Sequence, residues 1–284
     1  MNRILVAAKD GYALAGYRFD PAGPPLACIV IAPAMAVPQS FYAPFARYLA
    51  AQGYAVWTFD FRGIGESLRG SPRKLKADLT DWLALDYDAV VNAAADAYPH
   101  HDLYVVGHSF GGQTAPLLPS RERVSGLVNI AVGSGSLRHN TPRIRRSAPF
   151  MWYLLAPLLC PLFGYFPGAH LGVIGNLPSG AMFQWRRWCL TPEYLLSGEP
   201  GARAAYASAR FPVLALTFVD DELLLEAGSR MLHDAYLHRP ADYRVIEPGQ
   251  IGMSRIGHFG FFKPNSEATL WPIVRDWLAL SSTK

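Results

Sequence analysis

The sequence predicts a doubly wound α/β fold built on a mainly parallel sheet. Short, continuously apolar runs, such as residues 27–32, 54–60 and 103–107, are typical of strands that are buried on both faces. Helical patterns, such as residues 41–52 and 79–98, alternate with these runs. Because 51% of the residues are hydrophobic and only 17% are charged, the chain has enough apolar material for a large core.

The remaining elements follow the same alternation. At the N-terminus, residues 4–6 and 14–17 flank Asp10-Gly11, which predicts an antiparallel hairpin. Beyond residue 107 the pattern predicts, in order, a helix over 111–118, a strand over 127–132, a strand over 213–219, a helix over 223–236, a strand over 243–247 and a helix over 266–280.

The alternation is interrupted between residues 137 and 208, which are rich in Pro, Gly, Trp, Tyr and Arg and contain only pieces of helix. We expect a core made of residues 1–136 and 209–284, with residues 137–208 inserted as a helical cap. Ligands bind beyond the carboxyl ends of the strands in an open α/β sheet, and the insertion leaves the sheet at such an end. Its apolar residues are therefore expected either to pack the cap onto the sheet or to bind substrate, as candidates Trp152, Leu155 and Trp185.

Residues 148–166 contain no charged side chain and are long enough to raise the question of a membrane span. Pro149, Pro157, Pro161 and Gly164 interrupt them, which favours short buried or lid-like helices. The sequence therefore predicts no stable membrane insertion.

Charge and cysteine content narrow the function further. The formal net charge of +4 is mild and no nucleic-acid-binding motif accompanies it, so no nucleic-acid partner is expected. Cys28, Cys160 and Cys189 lie among apolar residues, outside any Cys-x-x-Cys pair, as expected of buried free thiols in a reducing compartment. Residues 1–10 lack the apolar core of a secretory signal. We expect a cytoplasmic protein, and the oligomeric state stays open.

The strongest functional signal is Gly107-His108-Ser109-Phe110-Gly111, between an apolar strand and a plausible helix. A strand that turns abruptly into a helix holds the apical residue in a strained backbone, at a cost of about 1–3 kcal/mol. Glycines two positions away remove the Cβ atoms that would clash, and the side chain at the apex projects above the sheet. The pattern predicts that Ser109 is a nucleophile. A glycine-rich strand end with an incidental serine is the alternative.

A serine hydroxyl needs a base to take its proton. His258 is the best candidate, because it follows the last predicted strand and precedes the last helix, in a loop bounded by Gly257 and Gly260.

The base in turn needs an orienting carboxylate. Asp221, with Asp220 as its rival, follows the strand over 213–219, and the other aspartate is expected to cap the helix that begins at Leu223. The order Ser109, Asp221, His258 is the order of the triad in α/β-hydrolases.

Acyl chemistry also requires donors to the developing oxyanion. The backbone N–H of Phe110 is one candidate, and the N–H of Met35, in the loop after the strand over 27–32, is the other. No cofactor is predicted. No metal is predicted either, since aspartates and histidines do not cluster at ligand spacing and His100-His101-Asp102 is a weak match.

Over nearly its whole length the chain resembles the α/β-hydrolase superfamily. Asp60-Phe61-Arg62-Gly63-Ile64-Gly65-Glu66-Ser67 resembles the loop that follows the fourth strand in these enzymes, where its role is structural. Residues 220–222 and 257–262 are similar to bacterial predicted hydrolases related to serine aminopeptidases and monoacylglycerol lipases. Where many relatives have His-Gly, this chain has Pro33-Ala34, so the oxyanion loop is expected to differ.

The resemblance implies fold and triad but does not select a substrate. The leading hypothesis is hydrolysis of a lipophilic carboxylic ester, a small-molecule substrate, through an acyl-enzyme. A thioesterase, an amidase or peptidase, a perhydrolase, and a non-catalytic binding module with the same fold remain alternatives.

Overall fold

An eight-stranded sheet forms the centre of the protein in a computed structural model that describes residues 1–281. Its spatial order is β1-β2-β4-β3-β5-β6-β9-β10, antiparallel at β1/β2 and β2/β4 and parallel from there on. Two short strands, β7 and β8, pair separately and antiparallel. The strand bounds are β1 Asn2–Ala7, β2 Ala13–Phe19, β3 Cys28–Ala32, β4 Ala55–Phe59, β5 Leu103–His108, β6 Gly126–Ile130, β7 Tyr165–Phe166, β8 Leu177–Pro178, β9 Val213–Phe218 and β10 Asp242–Ile246.

Helices cover both faces of this sheet. The α-helices are α1 Ala43–Ala51, α2 Leu79–Asp81, α3 Asp88–Ala97, α4 Phe110–Thr114, α5 Pro142–Phe150, α6 Ala156–Phe163, α7 Gly168–Leu171, α8 Ser179–Leu190, α9 Leu195–Gly198, α10 Ala202–Ser208, α11 Glu226–His233 and α12 Trp271–Ser281. Wider π-helical turns at Trp82–Tyr87 and Met151–Leu155 join α2 to α3 and α5 to α6. Single 3₁₀ turns lie at Gln39–Tyr42, Gly65–Ser67, Pro72–Lys74, Ala115–Leu117, Arg121–Arg123, Leu137–His139, Pro248–Ile251, Gly260–Phe262 and Pro264–Ser266.

The central strands are buried on both faces, as their continuous apolar runs predict. In β3, Cys28, Val30 and Ala32 belong to the core that includes residues of α3, whereas Ile29 and Ile31 belong to the core beneath α1 and α12. Successive side chains of a strand point to opposite faces, so one apolar run supplies both cores. The prediction of a doubly wound, mostly parallel sheet is confirmed.

Several helix bounds differ from the sequence pattern. The predicted helix over 79–98 is interrupted by the π-helical turn, from which Asp86 accepts hydrogen bonds from the backbone N–H and Nε of Arg62, at 2.8 and 2.7 Å. The ion pair of Arg62 with Asp86 is buried, and it anchors the loop that the resemblance marked as structural. The helix expected over 223–236 extends only from Glu226 to His233.

Residues 137–208 contain helices α5 to α10 and the strands β7 and β8. The two strands escaped the sequence pattern because each has only two residues, too few to show a period. Within residues 1–281, no helix is both long enough and apolar enough to cross a bilayer. Cys28, Cys160 and Cys189 are buried free thiols, as expected.

Candidate active site

Ser109 occupies the sharp turn between β5 and α4. Its backbone lies at φ 47° and ψ −112°, a strained conformation for a residue with a side chain. The turn can be this tight because two glycines flank it: a Cβ on Gly107 would lie 2.3 Å from the Cα of Gly112, and one on Gly111 would lie 2.3 Å from the carbonyl oxygen of Ala32. The structure therefore has the elbow geometry that the motif predicts.

His258 lies in the loop between β10 and α12, with 2% of its surface exposed. Its Nδ1 is 2.7 Å from Oδ2 of Asp221, which follows β9 and is itself buried. Ser109 and His258 line one cavity. The nucleophile, base and carboxylate named from the sequence are thus brought to one edge of the sheet, where β5, β9 and β10 end.

Three consecutive acidic residues hold the loop of His258. Asp220 accepts the backbone N–H groups of Ile256 and Gly257 at 2.9 and 3.0 Å. Glu222 accepts the N–H of His258 at 3.0 Å. Since Asp221 lies between them and accepts the ring proton, the segment Asp220–Glu222 binds both the backbone and the side chain of this loop.

The expected capping role of the second aspartate is wrong. The amides of Leu223 and Leu224 donate to Oδ1 of Asp221, at 2.8 and 3.0 Å, and α11 begins only at Glu226. A carboxylate has two oxygens, so Asp221 holds its own turn with one and His258 with the other. Asp220 instead binds the loop that carries His258. The two segments are distant in sequence, so this contact cannot be predicted from neighbouring residues.

The two predicted oxyanion donors lie in the same cavity as Ser109. Met35 and Phe110 both line it. Phe110 is the first residue of α4, and the first N–H groups of a helix have no partner within the helix. In the Met35 loop the left-handed residue is Ala36, at φ 58°, and not Ala34. The substitution of alanine for the glycine of many relatives therefore does not strain residue 34.

A chain of buried hydrogen bonds connects this loop to the base. The N–H of Ala34 donates to the Tyr42 hydroxyl at 2.8 Å, Tyr42 lies 2.9 Å from Nδ1 of His108, and Nε2 of His108 lies 3.0 Å from the carbonyl oxygen of His258. Burial holds the pKa of His108 well below its usual value, so the ring is neutral. Because a carbonyl only accepts, Nε2 carries the proton and Nδ1 accepts from Tyr42.

The cavity above Ser109 has a volume of about 350 Å³. None of its lining residues is Asp, Glu, Lys or Arg. Trp152 and Trp185 line it, with rings perpendicular and centroids 4.9 Å apart. A larger open groove of about 650 Å³ lies at the opposite, amino ends of β5, β6, β9 and β10, and none of the predicted site residues lines it.

Leu155 is not a lining residue, contrary to the sequence prediction. It packs against the core. Trp152 and Leu155 both belong to the π-helical turn, whose wider pitch places them on different faces. Met151 and Ile144 line the cavity instead.

Gln113, Cys189 and Tyr194 are among the lining residues that the sequence pattern missed. Gln113 donates to the carbonyl oxygen of Gly133 at 2.7 Å and accepts from the Tyr194 hydroxyl at 3.1 Å, and so ties α4 to the segment before α9. Cys189 lines the cavity, but burial raises the pKa of its thiol, which keeps it a weak nucleophile. The position of Gln113 in the helix that directly follows β5 could have suggested it. Nothing in the neighbouring sequence marks Cys189 or Tyr194. Within residues 1–281, no three His, Cys, Asp or Glu side chains are grouped so that they could hold a metal ion.

Comparison with known proteins agrees with the fold. Residues 23–160 match the family model described as serine aminopeptidase, S33. No curated protein matches the sequence. A soluble variant of monoglyceride lipase from Saccharomyces cerevisiae, solved with a substrate analogue, superimposes with a TM-score of 0.70 at 17% identity, over 100% of this chain and 96% of that one.

Two other similar structures are esterases. One is from Pyrococcus furiosus, with a TM-score of 0.64 and 17% identity over 99% of this chain and 91% of that one. The other is an esterase domain from Rhodothermus marinus, with a TM-score of 0.61 and 16% identity over 97% and 96%. The chain has the α/β-hydrolase fold.

The chain of hydrogen bonds through Tyr42 can be tested by removing one hydroxyl. In Tyr42→Phe the N–H of Ala34 and Nδ1 of His108 both lose their partner inside the core. Since one unsatisfied buried group costs about 1–3 kcal/mol, we expect the free energy of unfolding to fall by at least about 2 kcal/mol. Chemical denaturation followed by circular dichroism measures it.

Tyr153→Phe is the matched control. Tyr153 is 62% exposed, so the loss of its hydroxyl leaves no buried group without a hydrogen-bond partner. We expect that variant to stay within about 0.5 kcal/mol of the wild type. Equal stability of Tyr42→Phe and the wild type would contradict the chain.

Proposed function

We propose that the protein is a serine hydrolase that cleaves a neutral, lipophilic carboxylic ester through an acyl-enzyme. Ser109 is the nucleophile, His258 the general base and Asp221 the carboxylate that orients it. The observation that supports this most is the strained Ser109 turn, which opens into the same cavity as a buried histidine whose Nδ1 is 2.7 Å from a buried carboxylate.

The proposed reaction has two steps. His258 takes the hydroxyl proton as Ser109 Oγ attacks the ester carbonyl, and the resulting oxyanion accepts from the N–H groups of Met35 and Phe110. The C–O bond to the alcohol then breaks, and His258 donates its proton to the leaving alkoxide. In the second step water attacks the acyl-enzyme with His258 again as base, which releases the carboxylic acid and restores Ser109.

The cavity lining supports a neutral and apolar substrate. A peptidase that trims amino termini has to hold a charged amine, and no lining residue is a carboxylate. Ile144, Met151, Trp152 and Trp185 offer apolar contact to an acyl or aryl group. This favours an ester over an aminoacyl substrate, although the matched family model carries the aminopeptidase name.

We further propose that residues 137–208 act as a cap. Helix α5 and the turn after it supply lining residues above Ser109, and so does Val173, which is 57% exposed. A Cβ on Gly175 would lie 2.7 Å from the carbonyl oxygen of Ala36, so this segment packs directly on the Met35 loop. The buried free thiols support a reducing compartment, and a cytoplasmic location is part of the proposal.

The proposed nucleophile can be tested with a fluorophosphonate, which labels serines activated by a general base. We expect the wild type to be labelled on the peptide that contains Ser109, Ser109→Ala to take up no label, and His258→Ala to label at least 100-fold more slowly, since general-base catalysis contributes about 10²–10⁴-fold. Mass spectrometry of the digested protein locates the label.

Ser136→Ala serves as the control, because Ser136 is buried in the segment after β6 and does not line the cavity. It should be labelled like the wild type. A folded wild type that takes up no label would overturn the hydrolase proposal in favour of a binding module, and label on another serine would overturn the assignment.

Substrate preference can be tested with p-nitrophenyl esters of increasing acyl length. Each further CH₂ buried in the cavity contributes about 0.8 kcal/mol, so kcat/KM should rise about fourfold per carbon until the cavity is full, and then fall. Ile144→Phe reduces the space and should move the optimum to shorter chains. Leu158→Phe, on an exposed position of α6, should leave it in place. A flat profile in the wild type would contradict an apolar acyl pocket.

A further inference from the structure

Helices α5 and α6 and the π-helical turn between them present a continuous apolar surface to solvent. Phe150, Leu154, Leu158 and Leu162 are spaced four residues apart, as are side chains on one face of a helix. With Tyr153 and Phe163 beside them they form what we call the outer face, and these six side chains are between 42% and 62% exposed. Isolated exposed leucines are ordinary, but a contiguous apolar patch marks an interaction site.

The opposite side of the same helices is buried against the rest of the protein. Ala148, Trp152, Ala156 and Cys160, also four apart, are buried at 5% exposure or less. Ala148 and Trp152 line the cavity above Ser109. The outer face is therefore a second apolar surface of this segment, separated from the cavity by the thickness of one helix, and its six side chains stay largely exposed to solvent.

Charge indicates what kind of partner it would take. Between residues 124 and 192 the sequence contains six arginines and no aspartate or glutamate. Arg138, Arg143, Arg145 and Arg146 are exposed at the start of α5 or just before it, and none of them forms an ion pair within residues 1–281. The guanidinium of Arg186 lies over the ring of Tyr153, 5.3 Å from its centre. Apolar side chains beside unpaired arginines match an anionic lipid surface.

A second copy of the chain matches this surface less well. Pairing two outer faces, in either direction, would bury arginines against a segment that has no carboxylate to neutralise them. A lipid bilayer accepts the apolar side chains among its acyl chains and offers phosphate oxygens to the arginines at the level of the headgroups.

We propose that the outer face docks on an anionic membrane surface, with α5 and α6 lying along the interface and not across it. Leu158 and Leu162 enter the acyl region, while Arg143, Arg145 and Arg146 bind headgroup phosphates. The docking itself does not require the catalytic proposal.

Vesicle sedimentation of the full chain tests this docking. We expect the wild type to sediment with phosphatidylcholine vesicles that contain phosphatidylglycerol, and far less with phosphatidylcholine alone. Arg143→Gln/Arg145→Gln/Arg146→Gln should weaken binding to the anionic vesicles roughly 100-fold, at about fivefold per arginine. Leu158→Ser/Leu162→Ser should weaken binding to them at least tenfold.

Leu5→Ser/Leu237→Ser is the matched control, since both leucines are exposed elsewhere on the protein, and it should bind like the wild type. All variants should keep the thermal unfolding temperature and the hydrolysis of a water-soluble ester, which separates failed docking from failed folding or catalysis. The proposal is overturned by a wild type that ignores phosphatidylglycerol, by outer-face variants that bind undiminished, or by variants whose only defect is loss of a dimer in analytical ultracentrifugation.

Discussion

The hydrogen bonds between residues 220–222 and residues 256–258 are the contact on which the candidate site depends. Three adjacent carboxylates on the segment after β9 accept hydrogen bonds from the loop after β10. Asp220 accepts two backbone N–H groups, Glu222 accepts a third, and Asp221 accepts the imidazole proton of His258. Because β9 and β10 are neighbouring parallel strands, both segments leave the same edge of the sheet. The orientation of His258 is thus set by strand pairing and does not rely on the long loop alone.

The packing of the sheet likewise fixes the backbone at Ser109. Strain at φ 47° persists because the surrounding sheet leaves no alternative, with Gly107 and Gly111 packed against backbone on both sides. His108, one residue before Ser109, links the carbonyl of His258 to Tyr42 and through it to the Met35 loop. One buried neutral imidazole therefore couples the three segments that carry the proposed nucleophile, base and oxyanion donors. This network gives preorganisation, which acyl transfer requires of its donors.

The fold and the positions of the proposed triad could be predicted from the sequence, because strand periodicity and the Ser109 motif are local signals. The helix bounds and the cap contacts could not. The π-helical turns at Trp82–Tyr87 and Met151–Leu155 have no periodic signature, so the sequence does not show that Leu155 lies outside the cavity. Likewise, the role of Asp220 depends on a partner 36 residues away, and that of Tyr42 on His108, 66 residues away. Pairings at such distances follow from the fold and cannot be predicted from spacing.

The turnover number of Asp221→Asn, compared with that of Asp220→Asn on a chromogenic ester, tests the central claim most directly. Asp221→Asn keeps an oxygen for the turn but removes the charge that orients and stabilises the imidazolium, so kcat should fall by roughly 10³–10⁴. In Asp220→Asn the side-chain oxygen can still accept a hydrogen bond from one of the two backbone N–H groups. We therefore expect kcat to fall roughly tenfold or less, together with some loss of thermal stability. A larger loss in Asp220→Asn than in Asp221→Asn would contradict the account, because Asp220 would then be the carboxylate on which His258 depends.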